Sequence, residues 1–208
     1  MLLGKRFEAF IEASPVSVMI RGTLERVLDP EKLEQVFENH AVRQYTRDLT
    51  FAQCGEIMSD VVFRVSPTVG AWYKAHPGEV SVTRQAIYDK LKHLELPISA
   101  ALVRHSHAEL HPALKAMGIR PPGLLPGFRV RVLDGNHLAG TDHRILELRR
   151  HRAAALPGQA LVFYDPRWDL ISDVIPCKDG HAQERSLTAE IIQAVLAGDC
   201  IIADRNFC

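Results

Sequence analysis

The run Cys200-Ile-Ile-Ala-Asp204-Arg-Asn-Phe-Cys208 decides how the second half of this chain is read. Four apolar residues followed by a carboxylate spell a short buried strand that ends on an acid. Its counterpart is Phe128-Arg-Val-Arg-Val-Leu-Asp134-Gly-Asn-His137, where Phe128, Val130 and Val132 share one parity with Asp134. Gly135-Asn136 is expected to close that strand.

Between these two runs the pattern alternates. Ala160 to Tyr164 reads as a strand and Asp165-Pro166-Arg167 as a turn. Leu170 to Ile175 reads as a third strand, stopped by Pro176. The short link predicts an antiparallel hairpin. Glu184 to Ala197 reads as a helix with Leu187, Ile191, Ala194 and Val195 on its core face and Gly198 at C′. A crossover through that helix sets the last strand parallel to an earlier one. If the neighbour is the Asp134 strand, both carboxylates emerge at one carboxyl-terminal edge. The segment from Gly140 to Gly158 is polar and basic, with a strand fragment expected at Ile145 to Leu148.

The first half, from residue 7 to about 115, reads as helices. Asp29-Pro30 is an N-cap followed by Pro at the first helical position. Thr50 with Gln53 fits a capping box. His76-Pro77-Gly78 is a turn. After it, Ser81 or Thr83 caps a helix whose face of Ile87, Leu91 and Leu94 is buried and whose Arg84, Gln85, Tyr88, Lys92 and His93 face outward. A turn followed by a polar, slightly basic helix suits the second helix of a helix-turn-helix, although many surface helices look the same. Pro121-Pro122-Gly123 to Pro126-Gly127 then breaks any helix. The expected organisation is a helical region 1–122, with a DNA-binding role open to it, and an α+β or α/β domain 123–208.

Composition narrows the class without naming it. At 47% hydrophobic and 24% charged, the 208 residues suit a globular chain with a real core. Lys plus Arg equals Asp plus Glu at 25 each, so overall charge selects no partner. Locally, Arg129, Arg131, Arg144, Arg149, Arg150 and Arg152 outnumber the acids between them and suit phosphates, or a solvated loop. Cys54, Cys177, Cys200 and Cys208 have no zinc spacing and read as reduced thiols of a cytoplasmic protein. The N-terminus breaks into charge at Lys5-Arg6, against a secretory signal, and no apolar run approaches membrane-spanning length. His107 and His111 share a helical face but lack the Glu of an H-E-x-x-H motif, and read as ordinary helix histidines.

Two Asp side chains on adjacent strand ends repel unless a cation or proton lies between them. Mg²⁺ suits such oxygen donors and keeps sites for water and phosphate. Metal held there can activate a water or a 3′-hydroxyl and stabilise the leaving oxygen of a phosphodiester. The competing reading is that Asp134-Gly135 is a turn dipeptide and Asp204 a cap.

Val132-Leu-Asp134-Gly-Asn-His137, Pro157-Gly-Gln-Ala-Leu-Val-Phe-Tyr164-Asp165 and Ile201-Ile-Ala-Asp204-Arg205-Asn-Phe207-Cys208 resemble a DDE-type insertion-sequence transposase of the insertion-sequence-4 family. Val82-Thr-Arg-Gln-Ala-Ile-Tyr-Asp-Lys-Leu91 adds weaker support. The resemblance implies a ribonuclease-H-like core with the first catalytic Asp on the first strand and the second on the fourth, matched by Asp134 and Asp204. It implies Mg²⁺- or Mn²⁺-dependent DNA nicking and strand transfer at the ends of a mobile element. Arg84, Lys92, Arg144, Arg149, Arg150, Arg152 and Arg205 are the expected DNA contacts. A further copy, or a full-length transposase, is an expected partner. The family also uses a third carboxylate, a Glu on a later helix, and no Glu follows Asp204 here. On that ground the chain is expected to be a truncated form, weakly active or inactive. The other readings are a DNA-gripping remnant that inhibits full-length transposase, and an unrelated α/β domain.

Overall fold

The computed structural model describes residues 11–44, 46–138, 158–177 and 183–207. Among them are seven α-helices and one four-stranded mixed sheet. By its internal contacts the chain divides into two units, Met1–Ile98 and Ser99–Cys208. The division lies earlier than the 122/123 break expected from Pro121 to Gly127. The physical reason is that Arg104, His111 and Lys115 reach residues 168–173 beside the sheet.

The first unit holds α1 (Pro15–Val27), α2 (Pro30–His40), α3 (Phe51–Val62), α4 (Val69–Ala75) and α5 (Arg84–Lys92). The Asp29 side chain accepts from Lys32 N at 3.1 Å, and Thr50 with Gln53 forms the full capping box. Of the two proposed caps, Thr83 starts α5 by accepting from Ala86 N, while the Ser81 hydroxyl donates to the Asp48 carbonyl. Leu49, Cys54, Ile57, Val69, Trp72, Val80 and Ile87 form the core of this unit. Trp72 is buried with its indole N–H satisfied by Asp60 at 2.9 Å.

The second unit takes up most of α6 (Leu96–Ala116) and then β1 (Arg129–Leu138), β2 (Gly158–Asp165), β3 (Leu170–Cys177), a 3₁₀ turn (Glu184–Leu187), α7 (Thr188–Ala194), β4 (Asp199–Ala203) and a last 3₁₀ turn (Arg205–Phe207). The sheet order is β3-β2-β1-β4. β1–β2 and β2–β3 are antiparallel, and β1–β4 is parallel. Leu133, Leu161 and Phe163 on one face pack beneath Leu187, Ile191, Ala194 and Val195 of the crossover, with Ile201 and Phe207 beside them. That apolar stripe is why the crossover lies on the sheet and why β4 returns alongside β1.

Four local expectations change. β1 does not stop at Gly135-Asn136, because β2 pairs with it as far as Leu138↔Gly158. β3 runs through Pro176 to Cys177; β3 is an edge strand, where a missing N–H is tolerated. The expected helix from Glu184 to Ala197 is a 3₁₀ turn followed by a shorter α7, and Val195 is already extended. Gly198 therefore does not occupy C′. Its φ of +87° serves the tight turn closed by Asp199 N donating to Leu196 O at 3.0 Å. The strand fragment at 145–148 lies outside the described residues. No helix among the described residues is long and apolar enough to cross a membrane.

Candidate functional site

The parallel ladder runs from Arg129↔Asp199 to Leu133↔Ala203. Asp134 and Asp204 are the next residue on each strand, so the register carries both to the carboxyl end of the same pair. Neighbouring strands lie about 4.8 Å apart. Both residues are exposed. Asp134 folds its carboxylate back onto the Gly135 N–H at 2.9 Å. Beyond Ala203 the backbone leaves the sheet for the last 3₁₀ turn, with Phe207 N donating to the Asp204 carbonyl at 3.3 Å. Phe207 is drawn into the apolar cluster under the crossover, which fixes where β4 must end. Arg205, next in sequence, is exposed.

A latch of charges sets the register at the other end of this ladder. The Asp199 carboxylate accepts two bonds from Arg129, at 2.6 and 2.8 Å, and one from Arg131 at 3.0 Å. It also takes the Leu196 N–H at 3.0 Å. The Arg131 side chain is 3% exposed and that of Asp199 is 2% exposed. Arg131 is satisfied further by Ser172 Oγ at 3.1 Å and the Ala194 carbonyl at 2.9 Å, and its guanidinium lies 4.1 Å from the Phe163 ring centre. Burial pushes the Asp199 carboxyl up, but the bonds from Arg129, Leu196 N–H and Arg131 outweigh it and hold the group at about 2. In the sequence Asp199 follows Ala197-Gly198, a turn setting that conceals this role. The signal available was the alternation of Arg129 and Arg131 in an otherwise apolar strand, since a buried Arg requires an acid.

Glu184 precedes Asp204 in the chain and opens the 3₁₀ turn of the crossover. Its carboxylate stands directly over Gly135, in the space that a Cβ there would fill. The amide of Gln159 comes to the same spot, with Nε2 3.3 Å from that Cβ position. A glycine inside a strand marks such close approach, and this is the cue that the turn reading of Asp134-Gly135 concealed.

The remaining candidates are dispersed. Arg84 and Lys92 are exposed on α5 in the first unit, and Tyr88 between them accepts from Gly70 N on α4 at 3.1 Å. Arg144, Arg149, Arg150 and Arg152 lie outside the described residues. His107 and His111 stack at 5.5 Å between ring centres, and His111 meets the edge of Trp168 at 4.5 Å. Desolvation is the main reason both imidazoles have lowered pKa values; the charge of His111 on His107 and that of Lys115 on His111 add to it, against Asp165.

As the side chains stand, no three His, Cys, Asp or Glu groups among the described residues converge to hold a metal ion. What the β1–β4 end presents is hard oxygen donors, Asp134 and Asp204, each one residue beyond the last paired position Leu133↔Ala203 and each exposed. That donor set fits Mg²⁺ or Mn²⁺, which accept carboxylate oxygens and complete their shells with water and phosphate. No protein-family model matches the chain, and no match to it is found among curated proteins or solved structures.

Proposed function

We propose that this chain carries the strand-cutting site of a DDE-type insertion-sequence transposase, with Asp134 and Asp204 as metal-holding carboxylates. The observation that carries the reading is the parallel register of β1 and β4, whose last pair, Leu133↔Ala203, lies one residue before each of the two acids although they are far apart in sequence. The order β3-β2-β1-β4, antiparallel within the first three strands and parallel for the fourth, supports a ribonuclease-H-like core. A divalent ion held there would polarise a scissile phosphodiester and activate a water or 3′-hydroxyl. Arg205, adjacent to Asp204 and exposed, faces the incoming phosphate backbone in this reading, and Arg84 and Lys92 add contacts from the helical half. DNA is the substrate, and a second copy or a full-length transposase the protein partner.

The test separates metal from DNA. Mn²⁺ titration of the purified chain, followed by the paramagnetic resonance of free Mn²⁺, is expected to show a site that Asp134→Asn and Asp204→Asn each weaken at least tenfold. Duplex DNA binding should weaken as salt rises and survive both substitutions. Mn²⁺ affinity unchanged by either substitution overturns the reading. DNA binding without any carboxylate-dependent Mn²⁺ site would select instead a DNA-gripping module without catalysis.

A further inference from the structure

We propose that the last part of α6 is a proton-operated arm, hinged at Pro112 and held against the β2–β3 turn while His107 and His111 are neutral. The contacts that hold it run down one side of the helix. Arg104 binds Asp173 at 3.0 Å, His111 meets the edge of Trp168 at 4.5 Å, and Lys115 Nζ lies 5.6 Å from the centre of the same indole. Past the helix, Arg167 Nε donates to the Pro121 carbonyl at 3.0 Å. Arg104, His107, His111 and Lys115 are spaced as one helical face. His107 therefore sits in the middle of this row, with its ring stacked 5.5 Å from that of His111. Pro112 follows at once and lies inside α6. It has no N–H to offer the Ala108 carbonyl, so the helix is weakened where the arm turns.

The row accommodates neutral imidazoles and not charged ones. His107 Nε2 is buried and has no hydrogen-bond partner among the described residues. In the imidazolium that atom is a charged N–H donor, and leaving it unpaired is unfavourable. Two imidazolium rings 5.5 Å apart also repel each other. The cations acting on the pair are Lys115 from α6, Arg129 and Arg131 from β1, and Arg167 from the turn, and Asp165 opposes them. Asp165 Oδ1 already accepts the Arg167 N–H at 3.0 Å. Asp169 and Asp173 are held by the Tyr164 hydroxyl at 2.8 Å and by Arg104 at 3.0 Å. Glu109 lies two positions from each histidine, on another face of the helix. Burial first, then the neighbouring positive charges, keeps both imidazoles below their ordinary pKa while the arm is docked. An undocked imidazole titrates at about 6.5. Protons therefore favour the undocked arm as pH falls below that value, and the docked arm is favoured above it. Undocking uncovers Trp168.

The experiment is hydrogen exchange of the whole chain, read by mass spectrometry at about pH 7.5 and about pH 5.5 with rates corrected for intrinsic exchange. The expected result at the lower pH is protection reduced on the order of tenfold in residues 108–116 and in the 165–169 turn, with β1, β2 and α3 unchanged. His107→Gln combined with His111→Gln removes both titrating rings and should keep the same protection at the two pH values. If the double variant does not fold, His107→Gln and His111→Gln are read singly, and each should lose less protection than the unaltered chain. Pro112→Ala restores the missing N–H and should make the loss smaller. Protection that is the same at both pH values, that falls equally in the histidine variants, or that falls across the whole sheet overturns the inference. A loss in Pro112→Ala as large as in the unaltered chain overturns the hinge.

Discussion

Replacing Asp199 with Asn should damage this molecule more than any change at the two proposed metal carboxylates. Asp199 is the acid to which both arginines of β1 are tied, and its carboxylate is all but fully buried. A carboxyl held at about 2, against 3.8 for an unperturbed group, corresponds to about 2 kcal/mol of stability at neutral pH. The substitution costs more than that, because Arg131 would remain buried with its charge uncompensated. Removing one partner of a buried pair typically costs 3–5 kcal/mol. For a chain of this size the melting temperature should fall by roughly 10 °C. Arg129→Ala is the control. Its side chain is 40% exposed, so the loss should be at most about 1 kcal/mol. Urea and thermal denaturation, read by circular dichroism, measure both. Asp199→Asn costing less than 1 kcal/mol, or Arg129→Ala costing as much as Asp199→Asn, would refute the view that the buried Arg131–Asp199 pair holds β4 to β1.

Further outcomes follow from the same contacts. His107 and His111 have lowered pKa values in the folded chain, so the unfolded chain takes up protons first; stability from this source is complete above about 6.5 and should fall as pH drops below it. Melts between pH 7.5 and 5 should show this decline, and His107→Phe with His111→Phe should flatten it. The depressed Asp199 carboxyl has the same sign but acts lower, its contribution being lost as pH falls from about 3.8 toward 2. Thr50→Ala removes a hydroxyl that accepts from Gln53 N at 3.1 Å and should cost about 1 kcal/mol by urea denaturation. Burial pushes the Cys54 thiol up to about 11, so alkylation at pH 8 should leave it unmodified until the first unit unfolds, which peptide mass mapping would show.

Much of the second unit was legible because its pattern is local and strong. The alternation in β1, the apolar run of β2 and the single crossover were sufficient to expect a parallel β4. What escaped notice depends on partners distant in sequence. Nothing near Asp199 announces that it neutralises Arg129 and Arg131 from 68 to 70 residues away. Nothing near Glu184 announces Gly135. Pro176 was read as a stop because its place at the sheet's edge is a property of the assembled strand order. The helical caps were readable for the opposite reason: Asp29, Thr50 and Thr83 each bond within three residues. The long basic segment attracted attention as a phosphate-binding patch, but only Arg129 and Arg131 of it can be followed in the structure, and both are committed to Asp199.

That commitment links the fold to the proposed chemistry. Arg129 and Asp199 face each other at one end of the ladder, and Leu133 and Ala203 face each other at its other end, one residue before Asp134 and Asp204. Two parallel strands advance at the same rise per residue, so whatever fixes the first pair fixes the second. A slip of one residue would turn the side chains of β4 to the opposite face, burying Ala203 differently and carrying Asp204 away from Asp134. The apolar contacts of Ile201 and Phe207 favour the observed register, but apolar contact is not directional and tolerates repacking. The multiply bonded Asp199 carboxylate does not, since any other register strands Arg131 in an apolar surround. For the proposed site, the buried Arg131–Asp199 pair is therefore what sets the register on which the placement of Asp134 and Asp204 depends.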